Sequence, residues 1–266
     1  MRSINVIKAI ALNTFRETVR DRVLYAIVIF ALLATLAGVI FGQLSADQDL
    51  RILEDLGLSV ITLFGGVIAV FIGTTLVFKE IDRRTIFLIV TKPIARWEFV
   101  TGKFFGLALC VLVTNFAMGL FFLGVIWFQT ANFNSALPLF YALSLVYVEL
   151  VLVIAMATFF STFCTPLMSM IFTTGLWTVG HLSFSFDMLK ELARDPKHLS
   201  KSTEILAIVL QNTMPDLAKL TVIRSNFMDN VFVPNSAILY LILYIAAYVV
   251  FLLTLSSMIA ERREFS

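Results

Sequence analysis

Charged residues are scarce in this 266-residue chain. Only 14% of its residues are Asp, Glu, Lys or Arg, whereas 59% are hydrophobic. A soluble domain of this length keeps about a quarter of its residues charged, so this composition excludes a soluble globular protein. The apolar residues come in long blocks, and a helix needs a block of about 20 such residues to cross a membrane. The sequence therefore predicts an all-α integral membrane protein.

Cysteine is also scarce, and the sequence motifs of several kinds of active site are absent. Cys110 and Cys164 lie in or beside apolar segments, which favours two buried hydrophobic side chains over a disulfide or a metal site. The chain contains no His-Glu-x-x-His, Gly-x-Ser-x-Gly or Gly-x-x-x-x-Gly-Lys-Ser/Thr sequence. We therefore predict no metal site, no catalytic residues and no nucleotide bound by that last motif, and we expect no nucleic-acid partner.

The first segment, residues 1–22, has the pattern of an amphipathic helix. Its apolar residues Ile4, Ile7, Ala11 and Phe15 recur at spacings of three and four, so they share one helix face. Basic residues of its second half lie on the opposite side. Because a transmembrane run follows almost at once, this pattern favours a helix lying in the membrane interface. The alternative is an ordinary amphipathic helix packed on protein.

Six apolar spans follow within residues 23–266, and each is long enough to cross a membrane. Only residues 161–166 separate the fourth span from the fifth, which predicts a tight helical hairpin with Pro166 at the start of the fifth helix. The predicted spans, in chain order, are Leu24–Gln43, Gly57–Phe78, Phe104–Phe128, Leu139–Phe160, Leu167–Phe186 and Ala237–Met258.

The distribution of Lys and Arg among the connections predicts the orientation of these helices. Five basic residues precede the first span, six lie between the second and third, and two follow the sixth. Arg51 is the one basic residue between the first and second spans, and none lies between the third and fourth. The long connection after the fifth span also has six, but long external segments cross the membrane despite their charge. We therefore predict that both termini and the loop 79–103 are cytoplasmic, and that segment 187–236 is extracytoplasmic.

The cytoplasmic loop 79–103 is the richest polar stretch of the chain. Charged residues at its start give way to the apolar run Ile86–Val90, which is too short to span, and Pro93 then restarts a helix. Apolar residues offered to the cytoplasm between basic clusters favour a docking surface for a soluble partner. The alternative is a positively charged loop whose apolar part dips into the membrane. Gly102 and Gly106, at the start of the third span, allow another helix to approach closely.

Glu149, near the middle of the fourth span, is the candidate for function within the membrane. A carboxylate at this depth is costly unless it is protonated, paired or facing water, so Glu149 is a candidate for substrate translocation or gating. The alternative is a neutral acid that is hydrogen-bonded to a neighbouring helix. An intramembrane enzyme would need paired acids or a nucleophile with its base. No second membrane-buried acid is evident beside Glu149, which leaves the enzyme hypothesis the weakest, although His181 lies in the fifth span.

Several of these segments resemble a known family. They are Phe15–Arg22 before the first span, Phe78–Thr85, Lys92–Arg96 and Gly102–Lys103 between the second and third, and Met214–Leu217 and Arg262–Phe265 around the last. Together they resemble the permease subunits of ABC transporters of the type-2 exporter class (ABC-2 type), specifically the stand-alone bacterial permeases. The resemblance covers most of the chain, and the loop 79–103 is its most specific part.

The resemblance implies a partner rather than an active site. In that family two permease halves pack together, and each docks a cytoplasmic ATPase through the coupling helix in the loop matching residues 79–103. ATP and Mg²⁺ then bind to the ATPase, and no cofactor binds to this chain. Six spans are half of a twelve-span assembly in the bacterial inner membrane, so a second copy or a related permease is expected beside the lipid. The residues implied at or near the ATPase are Glu80, Asp82, Arg83, Arg84 and Thr85.

The segment 187–236 departs from that pattern, because it is longer than the short re-entrant hairpin common in such exporters. Its length suggests an alternative function, a mechanotransmitting or anchoring subunit that engages a periplasmic protein through this segment.

Overall fold

The computed structural model describes residues 2–42, 49–82, 95–130, 136–182, 215–229 and 231–262. All the regular elements in these ranges are helices, which confirms the predicted all-α class. They are α1 (Arg2–Val19), α2 (Arg22–Gly42), α3 (Asp49–Asp82), α4 (Arg96–Thr130), α5 (Ala136–Ser161), α6 (Pro166–His181), α7 (Ala218–Met228) and α8 (Asn235–Arg262).

Several of these helices are long and apolar enough to cross a membrane. Within the described ranges there are four, namely Leu53–Thr75 of α3, Arg96–Phe128 of α4, Ala136–Ser161 of α5 and Asn235–Glu261 of α8. The helices α1 and α2 form a fifth candidate if the pair is counted as one broken span. The chain is therefore a multi-pass membrane protein, as its apolar blocks predict.

The junction between α1 and α2 is a sharp bend of 63°. Asp21 stands at this bend, and its Oδ1 accepts a hydrogen bond of 2.9 Å from the backbone N–H of Val23. That bond satisfies one of the amide groups that the first turn of α2 leaves without a helical partner. The amphipathic segment therefore ends, and the first apolar helix begins, at a capped boundary.

The centre of the bundle is α5, which packs against α3, α4, α6, α7 and α8. Its residues from Leu152 to Thr158 are all buried. Small residues allow this close packing: a Cβ atom added at Gly73 of α3 would lie 2.6 Å from the Cβ atom of Ala157. In a bilayer, where lipid tails are as apolar as leucine, such close approach is a main source of helix association.

The helix α1 packs on the first turns of α4, at the glycine pair whose spacing predicts close approach. A Cβ atom at Gly102 would lie 2.8 Å from the Cβ atom of Ile10, and one at Gly106 would lie 2.5 Å from the carbonyl oxygen of Ala11. Thr14 is buried in this contact, whereas Ile4 is 70% exposed. The helix therefore rests on protein along part of its length, and its position in the membrane interface stays a prediction.

Candidate functional site

The start of α4 is fixed to the last turn of α8 by Arg96. Its Nη1 donates hydrogen bonds of 2.6 Å to the carbonyl oxygen of Ala260 and 3.0 Å to that of Glu261. These carbonyl groups have no partner within the helix, and a cation at a helix C-terminus is favoured by the helix dipole. The end of the loop 79–103 is thereby attached to the end of the last helix.

The first turn of α4 is also capped, and a buried cation lies one turn further along the helix. Glu98 Oε2 accepts a hydrogen bond of 3.1 Å from the backbone N–H of Ala95. Lys103, beside the Gly102 contact with α1, is only 2% exposed. Its Nζ lies 5.1 Å from the centroid of the Phe99 ring, within the range of a cation–π interaction. We refer to Arg96, Glu98 and Lys103, with the helix ends that they contact, as the Arg96 end of the bundle.

The residues expected to contact an ATPase lie where α3 ends. Glu80 and Asp82 are in its last turn, whereas Arg83, Arg84 and Thr85 lie outside the described residues. The helix has 34 residues, so it is about 51 Å long at 1.5 Å per residue. Because the hydrocarbon core is only about 30 Å thick, α3 extends well beyond it. The docking role of these five residues stays a prediction.

Glu149 has partners that its place in the sequence did not indicate. Its side chain is 1% exposed, and its Oε1 accepts a hydrogen bond of 2.8 Å from Nε1–H of Trp177. Nε2 of His181 lies 3.2 Å from the same oxygen, and Nδ1 lies 3.1 Å from the carbonyl oxygen of Trp177. Trp177 and His181 are four residues apart, on one face of α6. The hydrogen bond to a neighbouring helix, which the alternative interpretation proposes, is therefore present, and a histidine lies beside it. The role of Glu149 in translocation or gating stays a prediction.

Arg224 of α7 extends this group toward α3. Its Nη1 donates a hydrogen bond of 2.6 Å to the hydroxyl oxygen of Thr62. Burial lowers the pKa of the Arg224 guanidinium, while the negative charges of Glu149 and Asp55 act to raise it. Its ordinary pKa is so high that the guanidinium stays charged. We call Glu149, Trp177, His181, Arg224 and Thr62 the Glu149 cluster.

The cluster borders a pocket between α3, α6 and α7. The pocket has a volume of about 300 Å³ and is lined by Ser59, Thr62, Leu63, Trp177, Thr178, His181 and Arg224. One side of the indole ring of Trp177 rests on Gly66, where an added Cβ atom would lie 2.3 Å from the ring. Any larger residue at this position would displace the ring, so the glycine allows Trp177 to take its place beside the pocket.

The helix α6 ends inside the bundle, at the level of this cluster. Glu149 is 13 residues after the start of α5 at Ala136 and 12 before its end at Ser161 (149 − 136 and 161 − 149), and His181 is the last residue of α6. The chain that returns after residue 214 meets this end, because the backbone N–H of Leu217 donates a hydrogen bond of 3.1 Å to the carbonyl oxygen of Gly180. Non-helical backbone at membrane depth is tolerated where protein supplies such partners.

This arrangement refines two expectations. The predicted fifth span, Leu167–Phe186, is helical up to His181, and its last four residues lie outside the described ranges. Of the segment 187–236, the helix α7 packs against α5 and α6 instead of projecting from the bundle. Phe227 of α7 stacks on Tyr141 of α5, with ring centroids 5.2 Å apart. Part of the segment expected outside the membrane is thus built into the helix bundle.

The comparison with protein families gives one match. A family model described as "ABC-2 family transporter protein" matches residues 8–252. The match includes the loop 79–103, Arg96 at the start of α4 and every residue of the Glu149 cluster. No curated protein sequence matches the chain.

Proposed function

Since the chain belongs to the ABC-2 family of transporter proteins, we propose that this permease subunit of an ABC transporter is driven by a separate cytoplasmic ATPase. The ATPase would dock on the loop 79–103, bind ATP and Mg²⁺, and hydrolyse ATP. The chain would convert that hydrolysis into substrate export or conformational work in the bacterial inner membrane. It would act with a second copy of itself or with a related permease.

The observation that carries this proposal is the attachment of the loop's end to both terminal helices. Arg96 bonds the last turn of α8, and α1 packs on Gly102 and Gly106 of α4. A displacement that a docked protein imposes on the start of α4 would therefore reach the helices at both ends of the chain. Rigid elements in direct contact are the physical means by which such coupling travels.

The same contacts support the six-span topology with both termini cytoplasmic. The helix α1 and the end of α8 both contact the start of α4, so the two ends of the chain lie at one end of the bundle. That requires an even number of crossings. The helices α2, α3, α4, α5 and α8 would supply five, and the predicted fifth span, of which α6 is the described part, would supply the sixth. The basic residues of α1 and of the start of α4 favour the cytoplasm for this end.

The position of α7 bears on the alternative function. An anchoring subunit would offer segment 187–236 to a periplasmic protein, but Ala218–Met228 packs within the bundle. We therefore assign α7 to the transporter itself. External binding would then have to involve the rest of the segment, residues 187–217 and 229–236, of which 187–214 and residue 230 lie outside the described residues.

Copurification with the ATPase tests the proposal. We expect the chain to retain its ATPase, and the replacement Arg84→Glu to weaken retention about tenfold or more, because a charge at the centre of a docking surface is reversed. The matched control is Lys8→Glu, which reverses an exposed basic residue in α1. Equal retention after replacement of the whole run 83–92 by Gly and Ser would contradict the proposal.

A further inference from the structure

The pocket beside Arg224 has the chemistry of an anion site. Within the described residues the guanidinium uses one N–H donor, on the Thr62 hydroxyl, and a guanidinium has five. Ser59 and Thr178 add hydroxyl groups to the lining, and Leu63 and Trp177 add apolar walls. A cation with unused donors beside apolar walls suits an anionic oxygen group carried by an apolar molecule.

The charge beside this cation depends on one proton. Nδ1 of His181 faces the carbonyl oxygen of Trp177, so this nitrogen must carry a proton. The contact of Nε2 with Oε1 of Glu149 needs another, which either the imidazole or the carboxyl group can supply. The pair thus holds one proton more than a carboxylate and a neutral imidazole, and its net charge is zero wherever that proton resides.

Loss of this proton changes the charge of the whole cluster. With it, the pair is neutral and Arg224 gives the cluster a net charge of +1. Without it, Glu149 is negative and cancels the charge of Arg224. A unit charge several ångströms away in partly buried surroundings changes the binding of an ion by on the order of tenfold or more.

We propose that this pocket binds an anionic oxygen group, a phosphodiester or another small oxyanion, and that the protonated Glu149–His181 pair switches it on. The site could take the headgroup of an anionic lipid or a free anion, which share this chemistry. The proposal goes beyond the proposed function, because it concerns equilibrium binding by the chain alone and needs neither ATP nor a docked ATPase.

Among the described residues, few other titratable groups lie near the pair. From α7 it faces Arg224, and from α3 it faces the Thr62 hydroxyl, with Asp55 and Glu54 two turns away along α3. The helices α4 and α8 have charged residues only toward the Arg96 end of the bundle. Asp55 is exposed and pairs with Arg51 at 3.6 Å, so solvent screens its effect on the pocket. The proton on Glu149 and His181 is therefore the one expected to control the site.

Trp177 provides the readout, because it lines the pocket and bonds Glu149. The test uses the full chain in phosphatidylcholine nanodiscs, with Trp97 and Trp127 replaced by Phe so that Trp177 is the one remaining indole. One arm titrates sulfate, and the other replaces part of the lipid with phosphatidylglycerol. Neither probe changes its charge between about pH 6 and pH 9, where histidine-based pairs are expected to titrate.

We expect Trp177 emission to respond to at least one probe at about pH 6, and the apparent affinity to fall about tenfold or more by pH 9. A response to phosphatidylglycerol alone identifies a lipid headgroup, and a response to sulfate identifies a free anion. Arg224→Gln should abolish the response at both pH values. The matched control is Lys219→Gln, which removes an exposed cation from the same helix outside the pocket and should leave the response unchanged.

Glu149→Gln separates this proposal from a purely structural role of the cluster. Glutamine is uncharged throughout this pH range, as a protonated glutamate is, and its amide oxygen can still accept the Trp177 hydrogen bond. We therefore expect this variant to bind at pH 9 as tightly as the parent binds at pH 6. The proposal is overturned if neither probe is bound at pH 6, if Arg224→Gln binds normally, or if folded Glu149→Gln keeps the pH dependence or loses binding.

Discussion

The Arg96 end of the bundle and the Glu149 cluster use charged side chains in different ways. At the Arg96 end, charged side chains bond backbone groups that helix ends leave unpaired, as Arg96 does at the end of α8 and Glu98 does at the start of α4. In the Glu149 cluster, side chains from neighbouring helices bond one another. The first arrangement fixes the positions of helices. The second holds a transferable proton and unused donors, so it can respond to a ligand.

Among the variants that test this difference, we expect the largest loss of stability in Glu149→Ala. Removal of the carboxylate leaves the Trp177 N–H and the imidazole of His181 without their buried partner. The free energy of unfolding in mixed detergent micelles should fall by about 2–4 kcal/mol. Glu149→Gln keeps the side-chain size and the Trp177 hydrogen bond, and should cost about 1 kcal/mol or less. Equal losses in the two variants would show that an isosteric amide cannot replace the carboxyl group, which would contradict this expectation.

A steric change at the Arg96 end should have the next largest effect. In Gly106→Ala the new Cβ atom would lie 2.5 Å from the backbone oxygen of Ala11, so α1 has to move. We expect a loss of about 1–3 kcal/mol together with weaker coupling to the ATPase. Gly124→Ala, in the same helix, is the control, because nothing lies within 4 Å of its added Cβ atom. That control should be neutral or slightly stabilising. If both variants lost the same stability, the loss in Gly106→Ala would not come from the contact with α1.

Arg96→Ala should loosen the end of α8 without unfolding the bundle. The variant loses two hydrogen bonds to the last turn of that helix, at a cost of about 1–2 kcal/mol. Amide hydrogen exchange should accelerate in the last turn of α8 and stay unchanged in α6. Faster exchange in α6 would mean that the two regions are coupled more tightly than their contacts indicate.

We expect the smallest change in stability when a charged residue outside both regions is replaced. Lys219 lies 3.1 Å from Asp216 and is largely exposed, so Lys219→Gln should change stability by about 0.5 kcal/mol or less. The hydrogen bond with Asp216 raises the pKa of Lys219 above its usual 10.5. A raised pKa gives stability that is present below the unfolded-state pKa and is lost as pH rises through the folded one. The difference between variant and parent should therefore be constant from about pH 6 to pH 9.

The sequence was sufficient to predict the all-α membrane class, the family and the close approach at Gly102 and Gly106. These depend on composition, on local motifs and on the absence of a side chain, all of which are visible in one chain. The partners of Glu149 were not predictable, because they depend on which residue of α6 lies level with it. The apolar run of the predicted fifth span continues past His181, and hydropathy measures transfer into lipid rather than the point at which a helix ends.

The position of α7 was also not predictable from the sequence. The segment Ala218–Met228 lies within residues 187–236, which the predicted topology places outside the membrane. Its burial depends on contacts with other helices, such as the Phe227 ring on Tyr141 and the Arg224 guanidinium on Thr62. Contacts of this kind between segments far apart in the chain leave no periodic signal.

The central claim is that a separate ATPase docks on the loop 79–103 and drives this chain. The most direct test places a photo-crosslinking residue at position 84, with position 8 in α1 as the control, in cells that carry the native ATPase. We predict a crosslink to an ATP-binding protein from position 84 and little or none from position 8. The proposed function would be contradicted if position 84 gave no crosslink to an ATPase, or if positions 84 and 8 gave equal amounts of it.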